Sequence, residues 1–317
     1  MNLLASLREK RKLITRLHAR SKRKFFKWCR RRPPTVAAKL GAYIASHFDH
    51  FGGWLYLRGR CNICGHNTVF FYCDQALYRE SLNCDECITS SRYRSIARGV
   101  LRAVRELAEV EAESLTQLSQ VASPRRLRIY DTQPPLYYAT LSYPLPDLLN
   151  ACGWIEVQTS QYWPERPWGT RLGPRQTNQN LERLTFPDAS FDIVITSDVM
   201  EHARLADRAH REIRRVLKPG GVYLFTVPHF RDRRETLVRE ATPDPADPTQ
   251  DQFLLEPEYH GDANAKANQV LTYRAYGTDL DEELAALGFT VEYSKENLPE
   301  LGIMNTELFF CRLNRST

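Results

Sequence analysis

The chain has 317 residues, 42% of them apolar and 26% charged, with a formal net charge of +6. That length holds one sizeable core plus a smaller module, and the composition is ordinary for a globular protein. No apolar run reaches the roughly 18–20 residues that cross a bilayer, which argues against a helical integral membrane protein.

The charge is uneven. Residues 1–34 carry thirteen Lys or Arg against one acid, Glu9, so a local +12 leaves the rest of the chain near −6. Leu3, Leu7, Ile14 and Leu17 fall near helical spacing there, and Pro33-Pro34 end any helix. A basic amphipathic or disordered extension is expected, with a peripheral membrane surface as its candidate partner. No apolar signal-peptide core opens the chain, so a cytoplasmic protein is expected, with the membrane periphery as its alternative location.

The cysteines come next. "CNICG" (61–65) and "CDEC" (84–87) form C-x2-C-x19-C-x2-C. Two such knuckles about twenty residues apart can place four thiolates on one tetrahedral ion, so Cys61, Cys64, Cys84 and Cys87 are expected to hold a structural Zn2+. The expected module, a zinc ribbon with its linker helix, covers 50–110, with a strand in "NTVFFYC" and a helix over 90–110. Arg92, Arg94 and Arg98 on that helix read as a solvated face.

From about residue 126, strands and helices alternate, as in a parallel sheet covered on both sides. "RLRIYD", "WIEVQTS", "SFDIVITSD" and "VYLFTVP" read as strands, "RLADRAHREIRRVL" as an amphipathic helix closed by "KPGG", and "TELFFCRL" as a final antiparallel strand. Residues 231–270 are rich in Pro, Asp and Glu without a helix or strand period, and read as a lid-like insertion.

The block from Asn180 to Pro228, above all Phe186-Pro187-Asp188, Ser190-Phe191-Asp192, Glu201-His202 and Arg215 to Gly221, closely resembles class I S-adenosylmethionine-dependent methyltransferases (type 11-like). The resemblance covers roughly 126–314. With the cysteine pairs and "LEPEYHGD" (255–262), it narrows to zinc-ribbon methyltransferases found with bacterial glycosyltransferases. It implies an α/β, doubly wound Rossmann-like sheet of seven strands and S-adenosyl-L-methionine as cofactor. Carried over residue by residue, it implies that Asp131, Thr132 and Gln133 form the first cofactor loop. It likewise puts Gln161 at the ribose, Asn180 and Leu181 at the adenine, and Ser197 and Asp198 at the methionine end. The loop has Gln133, Pro135 and Tyr137 where glycines are usual. "QPPLYY" is not the Asn/Asp-Pro-Pro-Tyr signature of amino and nucleobase methyltransferases, which lies at the end of a later strand.

Methyl transfer to oxygen needs alignment of the acceptor and a group to take its proton. The candidates are His202 with Glu201, then His229, then His260 with Tyr259 and Asp262 in the insertion. The favoured function is O-methylation of a small molecule or glycan. An RNA methyltransferase using ribbon and basic tail is the second reading, disfavoured by the acidic body. A non-catalytic scaffold on a degenerate fold is the third.

Overall fold

The computed structural model of the protein describes residues 56–71, 78–137, 141–261 and 269–315. The basic extension at 1–34, Cys73 and Asp262 lie outside the described residues. Three short antiparallel strands come first: β1 (Tyr56–Arg60), β2 (Asn67–Phe71, the expected "NTVFFYC" strand) and β3 (Asn83–Cys84). Each C-x2-C pair sits on a tight knuckle of the same pattern. The Gly65 N–H donates to the Cys61 carbonyl and the Cys61 N–H to His66. Ile88, Cys84 and Thr89 repeat this. The residue after each pair is left-handed, with φ +77° at Gly65 and +57° at Ile88. Glycine adopts that conformation freely, whereas the branched Ile88 is strained there.

Helix α1 (Ser91–Ala108) leaves the ribbon. The strands that follow are β4 (Leu127–Asp131), β5 (Ile155–Gln161), β6 (Arg171–Gly173), β7 (Gln176–Asn178), β8 (Phe191–Ser197), β9 (Leu217–Thr226), β10 (Glu258–Gly261), β11 (Gln269–Thr272), β12 (Phe289–Leu298) and β13 (Ile303–Leu313). The helices between them are α2 (Leu145–Asn150), α3 (Ala206–Val216) and α4 (Asp279–Ala286).

One mixed sheet runs β12-β13-β9-β8-β4-β5-β7-β6. Strands β4, β5, β7, β8 and β9 are parallel, and β6, β12 and β13 pair antiparallel with their neighbours. The sheet is α/β and doubly wound as expected, but it has eight strands and not seven. The extra one, β6, is a three-residue edge strand before a Gly-Pro turn, too short to show a period of two.

Alternate residues face opposite layers. Ile129, Ile193, Ile195, Val222 and Leu224 pack with α1 and the ribbon, while Tyr130, Val194, Tyr223 and Phe225 pack with α3 and α4. Strand order reverses between β4 and β8. Their carboxyl ends therefore border the crevice where ligands bind in such sheets.

Two local expectations change. "KPGG" does not close α3, because β9 begins directly after it. Gly221 is needed there since a Cβ would lie 2.8 Å from the Lys218 carbonyl. The insertion at 231–270 is not without strands. Leu237–Val238 pairs with Arg274–Ala275, Glu240–Ala241 with Gln252–Phe253, and β10 with β11. Pairs this short carry no readable period. Among the described residues no helix is long and apolar enough to cross a membrane.

The ribbon is pressed onto the turn between β12 and β13, where a Cβ on Gly302 would lie 2.3 Å from the Phe70 ring. Arg94 locks this joint. Its guanidinium is fully buried and donates to the carbonyls of Leu82 (2.5 Å), Leu301 (2.9 Å), Gly302 (2.7 Å) and Thr89, with Phe70 stacked at 4.4 Å. Arg98 pairs with the buried Glu296, and Arg92 points to the crevice. The solvated face expected for these arginines thus holds for Arg98, which stays exposed, but not for Arg94, on which carbonyls from distant chain segments converge, nor for Arg92, which turns inward. An Arg94→Met variant, which strands those carbonyls, is expected to lose at least about 3 kcal/mol of stability in urea unfolding. A loss under about 1 kcal/mol would show that the joint does not depend on Arg94.

Candidate active site

Three clusters occupy the carboxyl side of the sheet and the ribbon. The first lies at the ends of β4 and β8. Asp131 is fully buried and accepts from the Tyr143 hydroxyl (2.7 Å) and the Gln133 N–H (3.0 Å). Burial pushes its carboxyl up to about 7, against the pull of those two bonds. Thr132 donates through its N–H to the Ile195 carbonyl, and the Gln133 side chain donates to the Tyr93 hydroxyl at 3.0 Å. The glycine-free loop is therefore held by contacts of its own. It turns into a short pairing of Leu136–Tyr137 with Ser142–Tyr143.

Asp198, just past β8, has φ +50°, a left-handed conformation that Asp tolerates better than most residues. Its carboxylate meets Arg79 at 2.8 Å, Arg92 at 3.4 Å and the Thr226 hydroxyl at 2.8 Å. Burial would raise its pKa, but the Arg92 and Arg79 guanidiniums prevail and hold it near about 2. Arg92 also donates to Ser197 and pairs with Glu80 at 2.8 Å. Farther along the sheet edge, Gln161, Asn180 and Leu181 remain partly exposed, and Tyr162 is stacked on Trp168.

The structure places Asp131, Thr132, Gln133, Gln161, Asn180, Leu181, Ser197 and Asp198 at or just past the carboxyl ends of β4, β5, β7 and β8. Arg79 and Glu80 were not legible as neighbours of Asp198 and Arg92, and Arg92 was misread as solvated. Sequence reasoning had no signal for a contact spanning more than a hundred residues.

The second cluster is beside Asp198. Glu201 has 0% exposure, and neither carboxylate oxygen has a hydrogen-bond partner. Burial, and then the Asp198 charge, push it well above the usual carboxylate range. His202 Nε2 and His260 Nδ1 each stand 3.7 Å from Glu201 Oε1, with the two rings edge-on at 5.0 Å. The hairpin of β10 and β11 carries His260 back over the sheet. His260 also borders a cavity of about 210 Å³ lined by Phe230, Arg233, Leu237, Arg239 and Arg274. His229 does not join this cluster. It is buried against Tyr293 and Phe309, with Nε2 on the Gly277 carbonyl at 2.9 Å, and burial lowers its pKa.

The third cluster is the four ribbon cysteines. Cys61 and Cys87 sulfurs lie 3.8 Å apart and Cys64 and Cys84 3.9 Å, with all four within 4.8 Å of one another. An ion bonded to four sulfurs at ~2.3 Å separates them by roughly 3.8 Å, so the donor set suits one tetrahedral ion.

Residues 160–225 match a family model described as a methyltransferase domain. A probable S-adenosylmethionine-dependent methyltransferase of Mycolicibacterium smegmatis is 48% identical over 62 residues, 18% of this chain and 23% of that protein. The chain thus spans about a quarter of that curated relative's length. Among solved structures, an S-adenosylmethionine-dependent methyltransferase from Mesorhizobium loti is 18% identical over 61% of this chain and 94% of its own, with a TM-score of 0.37. A Burkholderia thailandensis 1,6-didemethyltoxoflavin-N1-methyltransferase, with bound 1,6-didemethyltoxoflavin and S-adenosylhomocysteine, is 14% identical over 78% and 96%, with a TM-score of 0.33. Neither superposition is close enough to bear on function. Residues 160–225 thus carry the pattern of a methyltransferase domain.

Asp131 generates a pH prediction. A carboxyl whose folded pKa (about 7) exceeds its ordinary 3.8 stabilises the fold below 3.8 and loses that contribution as pH rises through 7. Wild type minus Asp131→Asn stability, read by denaturant unfolding from pH 4 to 7, should therefore fall with pH, by up to about 1.4 kcal/mol per unit. Parallel curves for the two proteins would contradict this.

Proposed function

We propose that the protein methylates an oxygen of a small-molecule or glycan acceptor using S-adenosyl-L-methionine, with Zn2+ held in the ribbon by Cys61, Cys64, Cys84 and Cys87. The observation that carries this reading is the charge set at the end of β8. The cofactor's amino-acid end bears one carboxylate and one ammonium. Asp198 suits the ammonium, and Arg79 and Arg92 suit the carboxylate. Nε of Arg79 is buried without a hydrogen-bond partner, a donor in want of an acceptor. Gln161 would hold the ribose, Asn180 the adenine amino group and Leu181 the ring face. Asp131, already satisfied by Tyr143 and Gln133, would shape the loop and not touch the ligand.

When bound, the cofactor supplies a methyl group on a positively charged sulfur. The chain's own residues place the acceptor and receive its proton. The cavity beside His260 is smaller than the roughly 300–1,000 Å³ of drug-sized sites and suits one sugar-sized unit. Glu258 also lines it and pairs with Arg239, which leaves Arg233 and Arg274 to favour an acceptor with negative charge. The Glu201, His202 and His260 cluster is where the acceptor hydroxyl gives up its proton. A glycan acceptor is also what a link to glycosyltransferases would imply. The second reading, a non-catalytic scaffold, draws on one observation: both carboxylates at the crevice are fully partnered within the protein.

Calorimetric titration with S-adenosylhomocysteine separates the two. Micromolar binding, weakened at least about tenfold in Arg92→Leu and Asp198→Ala, is expected of the enzyme. No heat and no thermal shift up to millimolar ligand would leave the scaffold. For the ribbon, purified protein should contain zinc. Removing that zinc by chelation, or by Cys84→Ser with Cys87→Ser, should lower the melting temperature by many degrees, since structural zinc contributes on the order of 10 kcal/mol. Unchanged melting after complete zinc removal would refute a structural role.

A further inference from the structure

We propose that Glu201, His202 and His260 form a second metal site, taking a divalent first-row transition ion that receives the acceptor oxygen. This deepens the proposed function, but its test reads metal and not methyl transfer.

The argument begins with hydrogens. His202 Nδ1 lies 2.8 Å from the Leu271 carbonyl, which can only accept, so Nδ1 carries the proton. In the neutral ring Nε2 is then the nitrogen that carries the lone pair, and it stands 3.7 Å from the Glu201 carboxylate. His260 Nδ1 likewise stands 3.7 Å from Glu201 Oε1, while its Nε2 lies 3.6 Å from Glu258 Oε1. Both rings thus turn a nitrogen to the same carboxylate oxygen, and His202 has an acceptor behind it, as protein surroundings orient a metal-binding histidine.

The carboxylate is the second, independent observation. Among the described residues Glu201 is wholly buried and neither oxygen has a hydrogen-bond partner, so its ionised form is costly unless a cation satisfies it. A separation of 3.7 Å is too long for a hydrogen bond, so a proton shared with either ring does not answer the need. An ion at ~2.0–2.2 Å from each atom would separate ligand atoms by roughly 3.4 Å, a few tenths of an ångström inside the two Glu201–histidine separations, and the three ligand atoms all lie within 4.8 Å of one another. Two imidazoles and one carboxylate select zinc, cobalt, iron or manganese over magnesium or calcium, which prefer all-oxygen shells. Three protein ligands leave a coordination position open, and one of them, His260, also borders the cavity.

The test uses the full chain, stripped with a chelator and reloaded with Co2+. The ribbon thiolates should give an intense sulfur-to-cobalt charge-transfer band, and the second site weaker bands of a nitrogen- and oxygen-bound ion. His260→Ala and Glu201→Gln should each abolish the second signature and keep the first, which doubles as a check on folding. His260 lies partly exposed on a hairpin, so its truncation cannot be dismissed as unfolding. A wild type showing only the thiolate signature, or a second signature that persists in His260→Ala, would overturn the site.

Discussion

A carboxylate taken out of water needs opposite charge, and at the end of β8 that carboxylate is Asp198. Burial opposes its ionisation, yet Arg92 and Arg79 hold it ionised. Both arginines come from the ribbon side of the chain, Arg92 from the first turn of α1 and Arg79 from just before β3. The central strand of the sheet therefore ends in a charge that, among the described residues, is balanced by two arginines from the ribbon side. Removing one member of such a buried pair typically costs about 3–5 kcal/mol, because the other is left uncompensated. From this constraint follow the seating of the ribbon on the β12–β13 turn and the burial of Arg94.

The same arrangement accounts for the first loop. Where glycines would let a backbone wrap a ligand, this chain has prolines, and the loop takes its shape from side chains instead. Tyr143 occupies Asp131, Gln133 reaches Tyr93 on α1, and the two tyrosine rings lie 4.4 Å apart. Loop, helix and ribbon are one packed unit. Metal bound at the ribbon cysteines would then be felt at the crevice through Arg92 and Tyr93, the residues that follow the second knuckle.

Much of this was legible before any coordinates. The strand runs around Ile129, Val157, Ile193 and Val222 announce a buried parallel sheet because both faces are apolar. The doubled C-x2-C spacing marks its four sulfurs as neighbours. Glu201-His202 and His260 stood out by residue type, although nothing in the sequence says that β10 folds back to bring His260 over Glu201. Other features escaped because they are tertiary. The arginines of α1 have the helical spacing of a solvated face, and only the carbonyls of Leu82, Leu301 and Gly302 make one of them a core residue. His229 follows a strand end as a catalytic base would, yet the closing strands bury it against Tyr293 and Phe309.

The coupling of ribbon to crevice is tested most directly by hydrogen exchange of the zinc-replete chain, with and without saturating S-adenosylhomocysteine. If Arg79 and Arg92 grip the ligand, exchange should slow at residues 79–92 together with 161–162, 180–181 and 197–202. Slowing confined to the sheet edge, with 79–92 unchanged, would contradict a crevice completed by the ribbon.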